Sequence, residues 1–229
     1  MTSIEALVDR QLSRLALRQR APWAPRAVAE AAVSPLRVIT VSRQTGSGGH
    51  TLAVRLAADL KYDLIDRQII DFISQNTGAQ AKLIDSLDDR TRSGVDLWVE
   101  GILRGRYVDR SEYTHWLVKS ITAMAEHGDA VILGRAGNVI LAKRGGLHVR
   151  VVAPKEFRIG NLVKHDGVST AEAARRIDES DEQRRKLYRE DFGADIEDPL
   201  GYHVVLNMGR LTMEEALEIV RTAWSGRVP

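Results

Sequence analysis

Three glycines fall within four residues at Gly46-Ser47-Gly48-Gly49, behind an apolar β-branched run and ahead of an amphipathic one. Glycine lets successive backbone N–H groups turn toward one centre, and a helix starting there points its positive end at the same place. That combination suits a phosphate. Thr51, on the first helical turn, places a hydroxyl within reach of a phosphate or of water on a magnesium ion. His50 has two readings, a phosphate contact or an ordinary exposed residue at a helix start. Against the phosphate-loop pattern GxxxxGK[ST], Gly49 stands where the lysine belongs and Arg43 where the first glycine does. The missing lysine removes a charge from the β- and γ-phosphates, and Arg43 is placed to supply one from the other side of the loop. Two rivals exist. A tight strand–helix turn with no ligand rarely needs three glycines. A dinucleotide fingerprint would use Gly46-x-Gly48-x-x-Thr51 with Asp66 further on, but its third glycine is absent.

Arginines supply the second chemical signal. Arg135 lies in Gly134-Arg135-Ala136-Gly137, just past an apolar run, where its bidentate fork suits a phosphate. Arg158 follows the turn APKE, and Arg175, Arg176, Asp178, Asp181, Arg184, Arg185 and Arg189 crowd one segment. Asp178, Asp181 and Arg184 are three apart and share roughly one helical face. For any single arginine the plain explanation is surface charge, and for Arg185 an intrahelical pair with Asp181, four residues back. For the group, phosphoryl transfer is the better reading, because its transition state gathers several cations around one charge-rich centre. The six histidines, at 50, 115, 127, 148, 165 and 203, show no metal-ligand spacing, and with no cysteine there is neither a disulfide nor a thiolate zinc site.

These residues need a frame to hold them. Residues 37–41 (RVITV), 62–66 (YDLID), 130–134 (AVILG), 147–153 (LHVRVVA) and 203–207 (HVVLN) read as strands, the apolar ones buried on both faces of a parallel sheet. Leu52, Leu56 and Leu60 mark one face of the helix after the glycines, and QIIDFISQ is helical. Residues 77–127 form a helical, polar insertion. Ser169 and Glu172, then Thr212 and Glu215, are capping-box signatures opening two more helices. In the last of these Ala216, Leu217, Ile219, Val220 and Ala223 are expected to point inward. Strands alternating with helices predict a three-layer α/β fold with a mainly parallel sheet.

The first twenty residues are a helical pattern with Leu7, Leu12, Leu15 and Leu17, and residues 21–36 a Pro/Ala-rich linker holding Pro22, Pro25 and Pro35. The division is therefore 1–36, an N-terminal helix and linker, and 37–229, the folded domain. The N-terminal helix is either a self-association or partner element or a tail. With 229 residues, 44% hydrophobic and 28% charged, the chain reads as soluble and globular. A net charge of +2 does not call for nucleic acid, and no apolar run approaches the length of a membrane span. The expected location is the cytoplasm.

RVITVSRQTGSGGHTLAVRLAADLKYDLIDRQII, AVILGRAGNVIL, VRVVAPKEFRIGNLV, DESDEQRRKLY and DPLGYHVVLN, in that order, resemble the cytidylate kinase-like family, a branch of the P-loop nucleoside monophosphate kinases. The resemblance spans about residues 37–225. It implies a P-loop kinase fold with a helical acceptor-binding insertion at 77–127 and a helical lid at about 155–190. It implies ATP and Mg²⁺ as donor and cofactor, with a nucleoside monophosphate, CMP or dCMP first, as acceptor. The loop from Ser42 to Thr51 would hold donor phosphates, and Arg135 matches the arginine of a GRDIG motif that faces the acceptor. Arg158 and Arg184 match lid arginines, Asp181 belongs to the same D-x-x-D-x-x-R pattern, and Asp66 falls near the acceptor. Ala136 replaces the GRDIG aspartate that helps read cytosine. Two other functions share this frame, a nucleotide-binding regulatory module without catalysis and a kinase of a non-nucleotide small molecule.

Overall fold

The computed structural model describes residues 3–19, 36–104 and 111–227, with side chains of the first segment described as far as Arg14. Among them the centre is a five-stranded sheet of β1 (Val38–Arg43), β2 (Asp63–Ile65), β3 (Ala130–Leu133), β4 (Leu147–Val152) and β5 (Val204–Asn207). The order is β2-β3-β1-β4-β5 and every pairing is parallel. Helices α1 (Ile4–Gln19), α2 (Gly49–Leu60), α3 (Arg67–Gln75), α4 (Thr77–Asp85), α5 (Asp89–Leu103) and α6 (Glu112–Glu126) precede β3 or lie between the early strands. After β3 come the short α7 (Gly137–Ile140), then α8 (Lys155–Asp166), α9 (Thr170–Lys186) and α10 (Met213–Ser225).

Strand alternation sorts the core into two layers. Ile39, Val41, Val149 and Val151 face α2 and α10, meeting Leu52, Leu56, Leu217, Val220 and Trp224. Val38, Ala130 and Ile132 face the other way, toward Ile69, Ile70 and Ile73 of α3 and Leu117 and Ile121 of α6. This is the three-layer α/β arrangement of a P-loop kinase. The insertion expected to be polar is polar only outside, since α6 is buried from Leu117 to Ala125 except Lys119. From β1 the chain reaches β2 and β3 on one side and β4 on the other, so the strand order reverses around β1. The crevice at such a switch point, beyond the carboxyl ends of the strands, is where open α/β sheets bind ligands.

Several local expectations change. Thr212 and Glu215 form a complete capping box, whereas Ser169 accepts from the Glu172 N–H without the return bond. The Glu172 carboxylate is taken by Arg175 and Arg176 instead. Ile219 is 39% exposed. It sits roughly 130° round the helix from the stripe centred on Leu217, Val220 and Trp224. α1 buries Val8 and Leu12 against the layer containing α3 and α4, and leaves Leu7 at the surface. The side chains of Leu15 and Leu17 and the linker residues 21–35 lie outside the described residues. No helix among the described residues is long and apolar enough to cross a membrane.

Candidate active site

The glycine loop between β1 and α2 is tied to its neighbours. Gly46 (φ +77°) and Gly48 (φ +83°) take the left-handed conformation that side chains resist. Ser47 is fully buried, and its hydroxyl donates to the carbonyls of Gln44 and Val151, pinning the loop to β4. Gln44 Oε1 accepts from the Ala153 N–H at 3.0 Å. Gly48 caps α2 with no side chain bonded to the first-turn amides. His50 and Thr51 are exposed on that first turn and line the same pocket as Gly46, Gly48 and Gly49, facing Asn161, His165 and Asp166 of α8.

Helices α8 and α9 are joined to this loop through one carboxylate. Asp181 on α9 accepts from the Thr45 backbone N–H at 2.9 Å and from Arg184 Nη1 at 2.8 Å through Oδ1. Its Oδ2 accepts from Arg158 Nη1 at 2.5 Å. Arg184 Nη1 also donates to Thr45 Oγ1 at 2.5 Å. Burial pulls the Arg184 guanidinium below its usual range, against the opposing pull of Asp181. Asn161 Nδ2 donates to the Gly46 carbonyl at 2.9 Å, a second tie. Of the other charged residues on α9, Asp178 pairs with Lys155, and Arg185 pairs with Glu182 and Glu197 rather than with Asp181. Arg175, Arg176 and Arg189 form ion pairs with glutamates or Asp166 and do not line the pockets.

On the other side of the crevice β3 ends in three consecutive left-handed residues, Gly134 (φ +86°), Arg135 (φ +50°) and Ala136 (φ +52°). For the last two such a conformation is strained, and strain of this kind collects at functional sites. The turn holds Arg135 against Asp71 of α3, which also accepts from Arg67 Nε at 3.3 Å and from the Tyr113 hydroxyl at 3.1 Å. Burial pushes the Tyr113 hydroxyl up to about 12, while nearby Arg135 works against that rise. Arg43, Arg67, Arg135 and Arg184 wall a second pocket, with Ser180 and Gln183 of α9 and the apolar Leu187, Tyr188 and Ile196 completing it. Arg135 Nε and Arg158 Nε are buried donors without a hydrogen-bond partner. Such donors are costly unless an anion takes them.

The structure thus gathers Arg43, Gly46 to Thr51, Arg135, Arg158, Asp181 and Arg184 at one crevice. Asp66 stands at its edge, where its Oδ1 caps α3 by accepting from the Gln68 and Ile69 N–H groups. Three residues were missed by reading the sequence. Arg67 lines the arginine-walled pocket. Arg150 is buried on β4, donating to Ser42 Oγ at 2.9 Å and lying over the Tyr202 ring. Tyr188, on a π-helical turn at Leu187–Asp191, donates to Asn138 Oδ1 at 2.6 Å. Arg150 carried a usable signal: a cation inside an otherwise apolar strand, near its carboxyl end.

A parallel sheet with a glycine loop at its switch point, faced by the arginine-bearing helices α8 and α9, has the three-layer α/β fold of a P-loop kinase. Comparison with known proteins narrows the class. Residues 38–210 match the model of the cytidylate kinase-like family, and the chain belongs to that family. It is 31% identical over 197 residues to a cytidylate kinase of Methanopyrus kandleri, covering 81% of this chain and 92% of that one. It is 30% identical over 186 residues to a cytidylate kinase of Thermococcus kodakarensis, covering 81% and 86%. Among solved structures, an uncharacterized protein from Eubacterium ventriosum shares the fold with a TM-score of 0.65 at 17% identity, covering 82% of this chain and 98% of that one.

Proposed function

We propose that this chain transfers the γ-phosphoryl group of ATP to a nucleoside monophosphate, with CMP or dCMP as the acceptor. The observation that carries the reading is a shared wall. The loop pocket and the arginine-lined pocket beside it are separate spaces that have Arg43 and Arg184 in common. Donor phosphates on the loop and an acceptor phosphate beside Arg135 would meet there. The family and the cytidylate kinases it contains support the same assignment.

In this reading an acceptor phosphate oxygen attacks the γ-phosphorus while the bond to the β–γ bridging oxygen breaks, and ADP leaves with that electron pair. The chain needs no nucleophile of its own and works by positioning and by neutralising charge. Arg135 and Arg67 hold the acceptor phosphate, which displaces part of the Asp71 contact. Arg158 and Arg184 close from the lid, and water is kept from the γ-phosphoryl group. Asp181 orients both lid arginines and the Thr45 amide rather than touching the acceptor. Among the described residues no group of three histidines or carboxylates is arranged to hold a metal. Magnesium sites on nucleotides are built largely from phosphate oxygens and water. The exposed Thr51 hydroxyl fits that supporting place, and a bound magnesium ion would offset the charge of the donor phosphates. Ala136 is fully buried where a base-reading aspartate would stand, and the uncharged polar side chains lining the pocket include Ser180 and Gln183. A cytoplasmic location belongs to the same reading.

The test is ADP formation from MgATP with CMP, dCMP, UMP, AMP and GMP supplied separately. Stimulation by the cytidine nucleotides is expected. Nucleotide binding with no stimulation by any of the five would overturn the assignment in favour of a regulatory module or a non-nucleotide acceptor.

A further inference from the structure

The loop lacks a lysine, and the space in which that side chain would begin is already filled. A β-carbon on Gly49 would come 2.5 Å from Arg43 Cβ and 3.2 Å from Val151 Cβ. The other end of the same arginine crosses the crevice, where a β-carbon on Gly134 would collide with Arg43 Nη1. One side chain therefore spans from the loop to the end of β3 over two bare backbone positions. Its guanidinium is also handled differently from those around it. Arg135, Arg158 and Arg184 each have an aspartate partner. Among the described residues no ion pair is made by Arg43, and burial together with neighbouring Arg184 pulls it down to about 10. A buried cation with no carboxylate in contact, and only the attraction of Asp66 through space, destabilises the fold unless an anion comes to it.

We propose that Arg43 is the cation on the transferred phosphoryl group, acting from the strand where a lysine at 49 would act from the loop. Gly49 is a glycine because the Arg43 side chain occupies the space of its β-carbon, and Gly134, whose φ of +86° already favours glycine, leaves room for the Arg43 guanidinium. The inference rests on the phosphotransfer reading, in which the γ-phosphoryl group passes across the wall that Arg43 shares between the two pockets. It changes Arg43 from a ligand of the bound donor to a group whose contact tightens as charge moves to the bridging oxygen.

The experiment compares Arg43→Ala, Arg43→Gly, Gly49→Ala and the exchange Arg43→Gly with Gly49→Lys, each checked by thermal melting. Steady-state kinetics give kcat and the KM for ATP, and calorimetry gives affinities for MgADP and for the Mg²⁺ complex of β,γ-imido-ATP. Arg43→Ala should lower kcat by about 100-fold or more. It should weaken β,γ-imido-ATP about tenfold relative to MgADP, since only the former carries the third phosphoryl group. Gly49→Ala should lose kcat too, and the exchange should regain about tenfold over Arg43→Gly alone. A kcat within about threefold of the unaltered chain in Arg43→Ala, or equal weakening of both nucleotides, overturns the proposal. If the unaltered chain transfers phosphate to no acceptor, the phosphotransfer reading fails, while the two affinities still decide whether Arg43 faces the γ-position.

Discussion

Replacing Asp181 by asparagine keeps its shape and removes its charge, and the consequences can be worked from three bonds. Oδ1 accepts from the Thr45 N–H and from Arg184, and Oδ2 from Arg158. An amide can serve only one of these sides, because its NH₂ group then faces another donor. The side chains of Arg158 and Asp181 are 9% and 12% exposed. Breaking such a pair from one side costs about 3–5 kcal/mol in a closed interior. The crevice is open to water and Arg158 keeps a weak bond to the Thr45 carbonyl, so about 2–4 kcal/mol is expected here. For a chain of this size that is a fall of roughly 5–12 °C in Tm. Urea unfolding of both proteins measures it directly. Added phosphate should restore more stability to Asp181→Asn than to the unaltered chain, because two arginines have lost their counter-charge. A loss under about 0.5 kcal/mol, with no difference in the phosphate response, would show that water replaces the carboxylate freely and that Asp181 does not hold α8 and α9 to the loop.

Other expected outcomes test separate parts of the site. Arg184→Ala should lower kcat much more than it raises the KM for ATP, and an unchanged kcat would remove Arg184 from the transfer step. Asp71→Asn frees Arg135 and Arg67 from a competing carboxylate, so the acceptor KM should fall by about two- to fivefold, read from initial rates. His148, 3% exposed, is held neutral by burial down to about 4, against about 6.5 in the unfolded chain. The unfolded state therefore takes up the proton first, and stability is lost as pH falls through that window. His148→Asn should reduce the difference in unfolding free energy between pH 7.5 and pH 4.5 by about 2 kcal/mol, and an unaltered difference would reject the assignment.

What could be read in the sequence followed from local rules. The strands end within two residues of the apolar runs that announced them, although Thr40, His148 and Arg150 are polar residues buried among them. The glycine loop was legible from its backbone demands alone. Ile219 was misplaced because a stripe on a helix has a width, and composition does not say where its edge falls. Asp66 drew attention as a carboxylate after a strand, yet its oxygen caps a helix, and the next residue, Arg67, is the one that enters the pocket. The relation of Arg43 to Gly49 and Gly134 was out of reach. It depends on separations between three backbone segments, and those exist only once β1 and β3 are paired.

Gly46 has a consequence for how the site opens. A β-carbon there would sit 2.6 Å from the Arg158 carbonyl and 2.7 Å from Leu162 Cδ1, so α8 packs directly on the loop. A methyl group at 46 would act as a wedge, prising α8 from the loop while also straining a backbone held at φ +77°.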